Sequence, residues 1–390
     1  MKAAPVTIGM VAGEASGDLL GAHVIKALAA HLPQARFVGI GGPKMRAAGM
    51  EVLFPLEKLA VRGYVEVITH YPEIVGIRRR LAKYFLEEPP ALFIGVDAPD
   101  FNLDLELKLK RAGVPTVHYV SPAIWAWRRG RIHKIRRAVS KMLLVFPFEQ
   151  ALYERAGIPA AYVGHPLAEM LAGLPGRAEM REQLRLPAAA KVIALLPGSR
   201  VSELQHMGGL FVDTALKIAE TVPDAVFLIP LVTRETRDLF ESELLRRDLA
   251  TMSGETRFNV LFGHSHDAMV AADVVVAASG TATLEAALLK RPVVITYRMP
   301  RVSWWIMKFR SYLPYVGLPN ILAGEFLVPE FLQDQATAEN LSAAVINMLY
   351  DLDLQRRLEA RFGELGRELR QNTAQKAAQA ILPLLNASAR

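Results

Sequence analysis

Residues 277–297, AASGTATLEAALLKRPVVITY, pass from strand to turn to helix to strand without a break. Val274 to Ala278 is a short apolar, β-branched run, and Ser279, Gly280 and Thr281 form a turn whose backbone can come close to a ligand. The pattern predicts a helix from Thr283 to Lys290. A helix opening behind Ser-Gly-Thr presents N–H groups without intrahelical partners and the positive end of the dipole, which suits a phosphate. Glu285 lies inside that helix. A capping box would need Ser or Thr at position 282, which is alanine. The carboxylate is therefore read as a partner for ribose hydroxyls one turn from the phosphate, against the bland alternative of a solvated helix face.

Outward from this stretch the same unit recurs. Val6 to Val11 leads into Gly13-Glu14-Ala15-Ser16-Gly17-Asp18 and then a helical pattern at Leu19, Leu20, Val24 and Leu28. From the loop onward the glycines fall at 13, 17 and 21, so the G-x-G-x-x-G dinucleotide fingerprint is absent. Phe37 to Ile40, Ala91 to Val96, Thr116 to Val120, Met142 to Phe146 and Ala161 to Val163 read as further strands, with helix-length segments such as Leu103 to Arg111 between them. Gly164-His165-Pro166-Leu167 breaks the series, which restarts at Val192 to Leu196, Ala225 to Ile229, Phe258 to Phe262, Val274 to Ala278 and Val293 to Thr296. At 390 residues the chain exceeds the roughly 250–300 at which a single core stops growing. Two α/β domains with parallel sheets follow, at 1–167 and 168–345, and 346–390 is expected to be a helical tail returning to the first domain.

Composition narrows the chemistry. The absence of cysteine excludes disulfides, zinc–thiolate sites, iron–sulfur clusters and a thiol nucleophile. The first 18 residues read as a strand and loop rather than an export signal, and no apolar run reaches the ~20 residues of a membrane helix. A net charge of +7 favours acidic partners: nucleic acid, anionic lipid or phosphorylated substrates.

Five stretches carry candidate chemistry. Leu195 to Arg200 follows a strand, and Ser199 and Arg200 there offer a hydroxyl and a fork of donors to a pyrophosphate. Gly95 to Asn102 (GVDAPDFN) ends another strand. Asp100 or Asn102 is suited to capping the helix at Leu103, whereas Asp97 is too early to cap and is read as a general base, with Glu14 and Asp18 as alternatives. Trp125 to Arg137 mixes aromatics with cations and fits RNA, anionic lipid or a solvated helix equally. Finally, Val61 to Phe85, with Tyr64, Val65, Val67, Ile68 and Tyr71, and Arg301 to Tyr315, with Trp304 and Trp305, set bulky apolar residues beside cations. That is how a protein rests on a membrane surface, with core packing the alternative.

With these residues in view, the chain resembles the lipid-A-disaccharide synthase family. The motifs run through nearly the whole length: Gly13 to Asp18 (GEASGD), Gly39 to Pro43, Asp97 to Asn102 (DAPDFN), Ser121 to Trp127 (SPAIWAW), Gly164 to Leu167, Leu196 to Arg200, Ser279 to Glu285 (SGTATLE) and Leu318 to Gly324 (LPNILAG). The resemblance implies an α/β protein of two Rossmann-like domains facing across a cleft (the GT-B fold), with C-terminal helices packing back on the first. It implies an inverting glycosyltransferase in which the 6-hydroxyl of 2,3-diacylglucosamine 1-phosphate attacks the anomeric carbon of UDP-2,3-diacylglucosamine, giving a β-1,6-linked disaccharide and UDP. On that reading Asp97, Glu14 or Asp18 takes the proton, and Ser16, Gly17, Asp100 and Asn102 line the acceptor side. Arg200 and the Ser279, Gly280 and Thr281 turn stabilise the departing diphosphate, Ser199 and Thr283 are further substrate-binding residues, Glu285 holds the ribose and Asn320 lies near the nucleotide. No metal and no cofactor beyond the UDP-sugar substrate is expected. The expected partners are the acylated sugars and an anionic membrane surface, not nucleic acid. The expected location is cytoplasmic, on the cytoplasmic face of the inner membrane, and a homodimer is compatible with the reading.

Overall fold

A computed structural model describes residues 6–59, 64–247, 258–310 and 312–388, with the backbone alone at 64–70, 302, 306, 308–310 and 386–388. The chain divides into two compact units, Met1–Pro166 with Leu369–Arg390, and Leu167–Glu368.

In the first unit the strands are β1 (Thr7–Ala12), β2 (Arg36–Gly41), β3 (Met50–Pro55), β4 (Leu92–Val96), β5 (Thr116–Tyr119), β6 (Lys141–Leu144) and β7 (Ala160–Tyr162). They form one parallel sheet in the order β3-β2-β1-β4-β5-β6-β7. The second unit holds β8 (Lys191–Leu196), β9 (Ala225–Leu231), β10 (Phe258–Phe262), β11 (Val274–Ala278), β12 (Val293–Tyr297) and β13 (Glu330–Leu332). Their order is β10-β9-β8-β11-β12-β13, again all parallel. Central strands such as β4 and β11 are buried along their whole length, as continuous apolar runs require when helices cover both sheet faces.

Both sheets run outward in two directions from a central pair, β1 beside β4 and β8 beside β11. At such a reversal the loops at the carboxyl ends of the two strands splay apart and leave a crevice for ligand. Those loops contain Gly13 and Glu14 after β1, Asp97 and Ala98 after β4, Pro197 to Arg200 after β8, and Ser279 to Thr281 after β11.

The sequence pattern misses β3 and β13. Each is an edge strand, and neither shows the fully buried run that marks the centre. The tail also divides differently from the expectation. The helix Leu352–Leu369 buries Leu358, Phe362 and Leu365 in the core of the second unit, and residues 346–368 belong there. The last helix, Thr373–Ser388, packs on Ala15–His31 of the first unit, and the Lys141 ammonium donates to the Ala380 carbonyl.

Candidate functional site

In the first unit the loops after β1 and β4 are in contact. A Cβ on Gly13 would lie 2.3 Å from the Ala98 Cβ, so glycine at 13 permits the approach. Asp97 and Ala98 both adopt left-handed backbone, with φ of 53° and 43°. For residues other than glycine this costs about 1–3 kcal/mol each and persists only where the surroundings over-determine it. Here they do. The Asp97 N–H donates to the Tyr119 carbonyl at 2.8 Å, extending the ladder from β4 to β5. The helix then opens at Pro99, four residues earlier than the pattern suggests, because proline suits the first turn. Its start is closed by the Ala98 carbonyl, which accepts from the N–H groups of Phe101 and Asn102.

Asn102 corrects an expectation. It neither caps the helix nor faces a ligand: it is buried, and its amide reaches the carbonyls of Val11 (3.3 Å), Val96 (3.5 Å) and Asp97 (2.8 Å). Asp18 is corrected too. It is 3% exposed, and its carboxylate accepts from the N–H groups of Gly42 (2.8 Å), Met45 (2.9 Å) and Lys44 (3.0 Å). It caps the short helix Pro43–Ala47 from a distance, and burial with three accepted N–H bonds gives it a structural role. Gly17 is buried against Ala12 and Val96, whereas Glu14 and Ser16 are exposed at the start of the helix Ala15–His31. Among the described residues no group is recorded as a partner of the Asp97 or Glu14 carboxylate.

Asp100 is exposed and paired with Arg131, while Arg78 bonds the Asp100 carbonyl (3.1 Å) and the Asp104 carboxylate (2.8 Å). Lys134 meets the other Asp104 oxygen at 2.6 Å. Part of the cationic character at 78 and at 125–137 is thus spent on neighbouring helices, which weakens the nucleic-acid reading of that stretch.

In the second unit, Glu203 is a residue that the sequence reading missed. Its Oε2 accepts from the N–H groups of Ser199 (2.8 Å) and Arg200 (3.2 Å), and the Tyr297 hydroxyl donates to its Oε1 at 3.4 Å. The Ser199 and Arg200 N–H groups are therefore taken. The side chains this loop offers an anion are the Ser199 hydroxyl and the Arg200 guanidinium, which is 72% exposed and lies 3.9 Å from Glu203 Oε1.

In the turn after β11 the donors of Ser279 and the Thr283 hydroxyl are used within the unit, and the first-turn N–H groups of the helix are what it offers a ligand. The helix runs Thr281–Leu288, starting two residues before the predicted Thr283, with exposed Gly280 at its cap. The Ser279 N–H extends the ladder to Thr296, and its hydroxyl donates to the Val316 carbonyl at 3.3 Å. Thr283 is buried and its hydroxyl returns to the Gly280 carbonyl at 2.8 Å, so it braces the turn from inside. Thr281 is exposed at the helix start, where first-turn N–H groups lack intrahelical acceptors.

Glu285 has a partner that the sequence reading missed. The His266 Nε2, on the helix Ser265–Ala271, lies 3.4 Å from its Oε2. The hydrogen bond to Glu285 raises the His266 pKa, against partial burial. Asn320 departs from expectation as well. It is buried, its Oδ1 accepts from the Val328 N–H (2.9 Å), and its amide nitrogen donates to the Val328 carbonyl (2.8 Å) and to Glu330 (2.7 Å). Glu330 in turn accepts from the N–H groups of Val316 and Gly317, both at 2.9 Å. The two side chains shape the loop that Ser279 touches.

Of the residues assigned to a membrane, Tyr71 is 58% and Trp305 63% exposed, while Trp304 is half-buried. The side chains of Tyr64, Val65, Val67 and Ile68 lie outside the described residues. The helix Tyr64–Glu87 buries Ile77, Leu81, Ala82 and Phe85, so one face of the second half of the Val61 to Phe85 stretch is core, while Arg79, Arg80 and Lys83 are exposed. Among the described residues no helix is long and apolar enough to cross a membrane.

The lipid-A-disaccharide synthetase family model matches residues 8–381. A lipid-A-disaccharide synthase of Methylobacillus flagellatus is 55% identical over 379 residues, 97% of this chain and 99% of that protein. That of Dechloromonas aromatica is 55% identical over 98% of this chain and 99% of its own. Solved structures share the fold at low identity. A UDP-GlcNAc 2-epimerase from Neisseria meningitidis, bound to UDP-GlcNAc, aligns with a TM-score of 0.64 at 13% identity, covering 98% of this chain and 100% of that one. MurG from Acinetobacter baumannii aligns with a TM-score of 0.55 at 14% identity, covering 97% of this chain and 100% of its own.

Proposed function

The chain belongs to the lipid-A-disaccharide synthase family, and from that premise we propose that Asp97 is the base of its glycosyl transfer and that the second unit holds the UDP-sugar. The enzyme is a glycosyltransferase of lipid A disaccharide synthesis with two parallel α/β sheets of the GT-B type. Its donor is UDP-2,3-diacylglucosamine and its acceptor 2,3-diacylglucosamine 1-phosphate.

The Asp97 carboxylate takes the proton of the acceptor 6-hydroxyl as that oxygen attacks the anomeric carbon. The bond from that carbon to the diphosphate oxygen breaks, UDP departs, and the configuration inverts. The charge developing on the diphosphate meets the start of the helix Thr281–Leu288 and the Arg200 guanidinium, and Glu285 receives the ribose hydroxyls. The observation that carries this reading is that the Asp97 carboxylate, on the β4 loop at the sheet's reversal, has no partner among the described residues, where Asp18 accepts three backbone N–H groups. Glu14, on the touching loop, is the second choice.

Acylated substrates also account for exposed Tyr71 and Trp305 beside basic stretches. Each buried acyl CH₂ contributes about 0.8 kcal/mol, so a long chain outweighs most polar contacts and keeps the enzyme at the membrane where its substrates reside. The test is UDP release with acylated and unacylated UDP-glucosamine as donors. Turnover of the acylated donor, falling by about 10²- to 10⁴-fold in Asp97→Asn, is the expected result. Turnover of only the unacylated donor would overturn the substrate assignment.

A further inference from the structure

Beneath the Asp97 turn lies a polar cluster that the reaction above does not use. Glu106, on the helix Pro99–Arg111, and His118, on β5, are both fully buried, with Glu106 Oε1 2.7 Å from His118 Nδ1. The close packing is permitted by Gly95 in β4, whose Cβ would fall 2.2 Å from Glu106 Oε1 and 2.9 Å from the Asn102 Cβ. Burial raises the Glu106 pKa, and the contact with His118 works against that rise. Three buried atoms of the cluster, Asn102 Oδ1, Glu106 Oε2 and His118 Nε2, find no hydrogen-bond partner among the described residues. Such an arrangement is a poor way to gain stability, because apolar side chains of the same volume pack there without stranded polar atoms.

The cluster's geometry connects it to the loop above. Asn102 and Glu106 are four residues apart and share one helix face. The Glu106–His118 bond ties that face to β5 at a single height, and one turn earlier Asn102 then reaches the carbonyls of Val11, Val96 and Asp97. Those carbonyls end β1 and β4 and include the left-handed residue that bears the carboxylate. We infer that Glu106 and His118 are positioning residues, which act through Asn102 to hold the Asp97 carboxylate on the reacting hydroxyl. The inference rests on the reading of Asp97 as the base.

The test is steady-state disaccharide formation by the full chain, with thermal unfolding followed in parallel. Glu106→Leu and His118→Leu are expected to lower kcat by roughly 10- to 100-fold, as a small misplacement of a reacting group does, with KM for the UDP-sugar within about twofold. Glu106→Gln, which keeps the shape and a hydrogen bond to His118, is expected to recover most of kcat. Leu109→Ala opens a cavity in the apolar core under the same helix and serves as the control: it lowers the unfolding midpoint and leaves kcat of the folded protein unchanged. In an Asp97→Asn background, Glu106→Leu should cost nothing further, since residues acting as one unit are not additive. Unchanged kcat in Glu106→Leu, or an equal loss in Leu109→Ala, overturns the inference. The two readings fail separately. A fully active Asp97→Asn refutes the base, and an inactive Asp97→Asn beside a fully active Glu106→Leu refutes the positioning alone.

Discussion

The sequence puts Asp97 first as the base and leaves Asp18 as an alternative, and hydrogen-bond accounting separates them. Three backbone N–H groups converge on Asp18 and none is recorded on Asp97. Asp18→Ala strips the acceptor from the start of the helix Pro43–Ala47, and each N–H left unpaired costs about 1–3 kcal/mol. The variant should therefore shift the denaturant midpoint and leave kcat of the folded fraction intact; a catalytic collapse at unchanged stability would return Asp18 to the list of bases. The same accounting turns Asn102, Thr283 and Asn320 from expected ligand contacts into braces. Residue type and position were legible, but which lone pair was already spent was not. His266 illustrates the limit from the other side, because it reaches Glu285 from a separate helix and no spacing in the chain joins them. Its pKa is raised above the ordinary 6.5, chiefly by the hydrogen bond to Glu285. Charged His266 therefore adds stability that is complete below 6.5 and is lost as pH rises through the raised value. Wild type should lose stability relative to His266→Gln as pH climbs above 6.5 in denaturant titrations. Parallel curves would sink the pairing.

At the scale of elements, the central strands and the loops after them were readable because burial on both faces writes long Val, Ile and Leu runs. β3 and β13 were not, since their residues are mixed and only partly buried, whereas the other two edge strands, β7 and β10, were read from the sequence. Helix starts were misplaced by two residues at Thr281 and four at Pro99, in both cases where a loop residue of unusual backbone, Gly280 or Ala98, supplies the cap. The tail was read as one block, yet its helices serve different cores. Phe362 and Leu365 are buried in the second unit, while Ala377, Ala378 and Ile381 are buried in the first. Ile381→Ala should cost about 2–5 kcal/mol, the usual price of truncating a fully buried aliphatic side chain. The loss should fall on the first unit. In a calorimetric scan the transition that UDP stabilises should stay in place while the other moves down; movement of both would show that the final helix serves the whole chain.

At the scale of the molecule, each unit carries its own sheet, its own reversal and its own core, and the chain passes between them at 166/167 and again at 368/369. The residues proposed to hold the donor, Ser199, Arg200, Ser279, Thr281 and Glu285, with their supports Glu203, His266, Asn320 and Glu330, all fall within Leu167–Glu368. The proposed base falls outside it. Division of labour on that pattern predicts that residues 167–368, produced alone, fold and bind UDP within about tenfold of the full chain, since a rigid preformed site depends on its own scaffold. The second core supports this, as it is a continuous cluster running from Met180 to Leu365 that needs no residue of the first unit. Glu285→Gln and Arg200→Ala should weaken UDP binding equally in the fragment and in the full chain, and Asp97→Asn should leave it unchanged in the full chain. Calorimetric titration with UDP reads all of these. A folded fragment that fails to bind would mean that the first unit supplies donor contacts, and would move residues near Glu14 and Asp97 from the acceptor's side of the reaction to the nucleotide's.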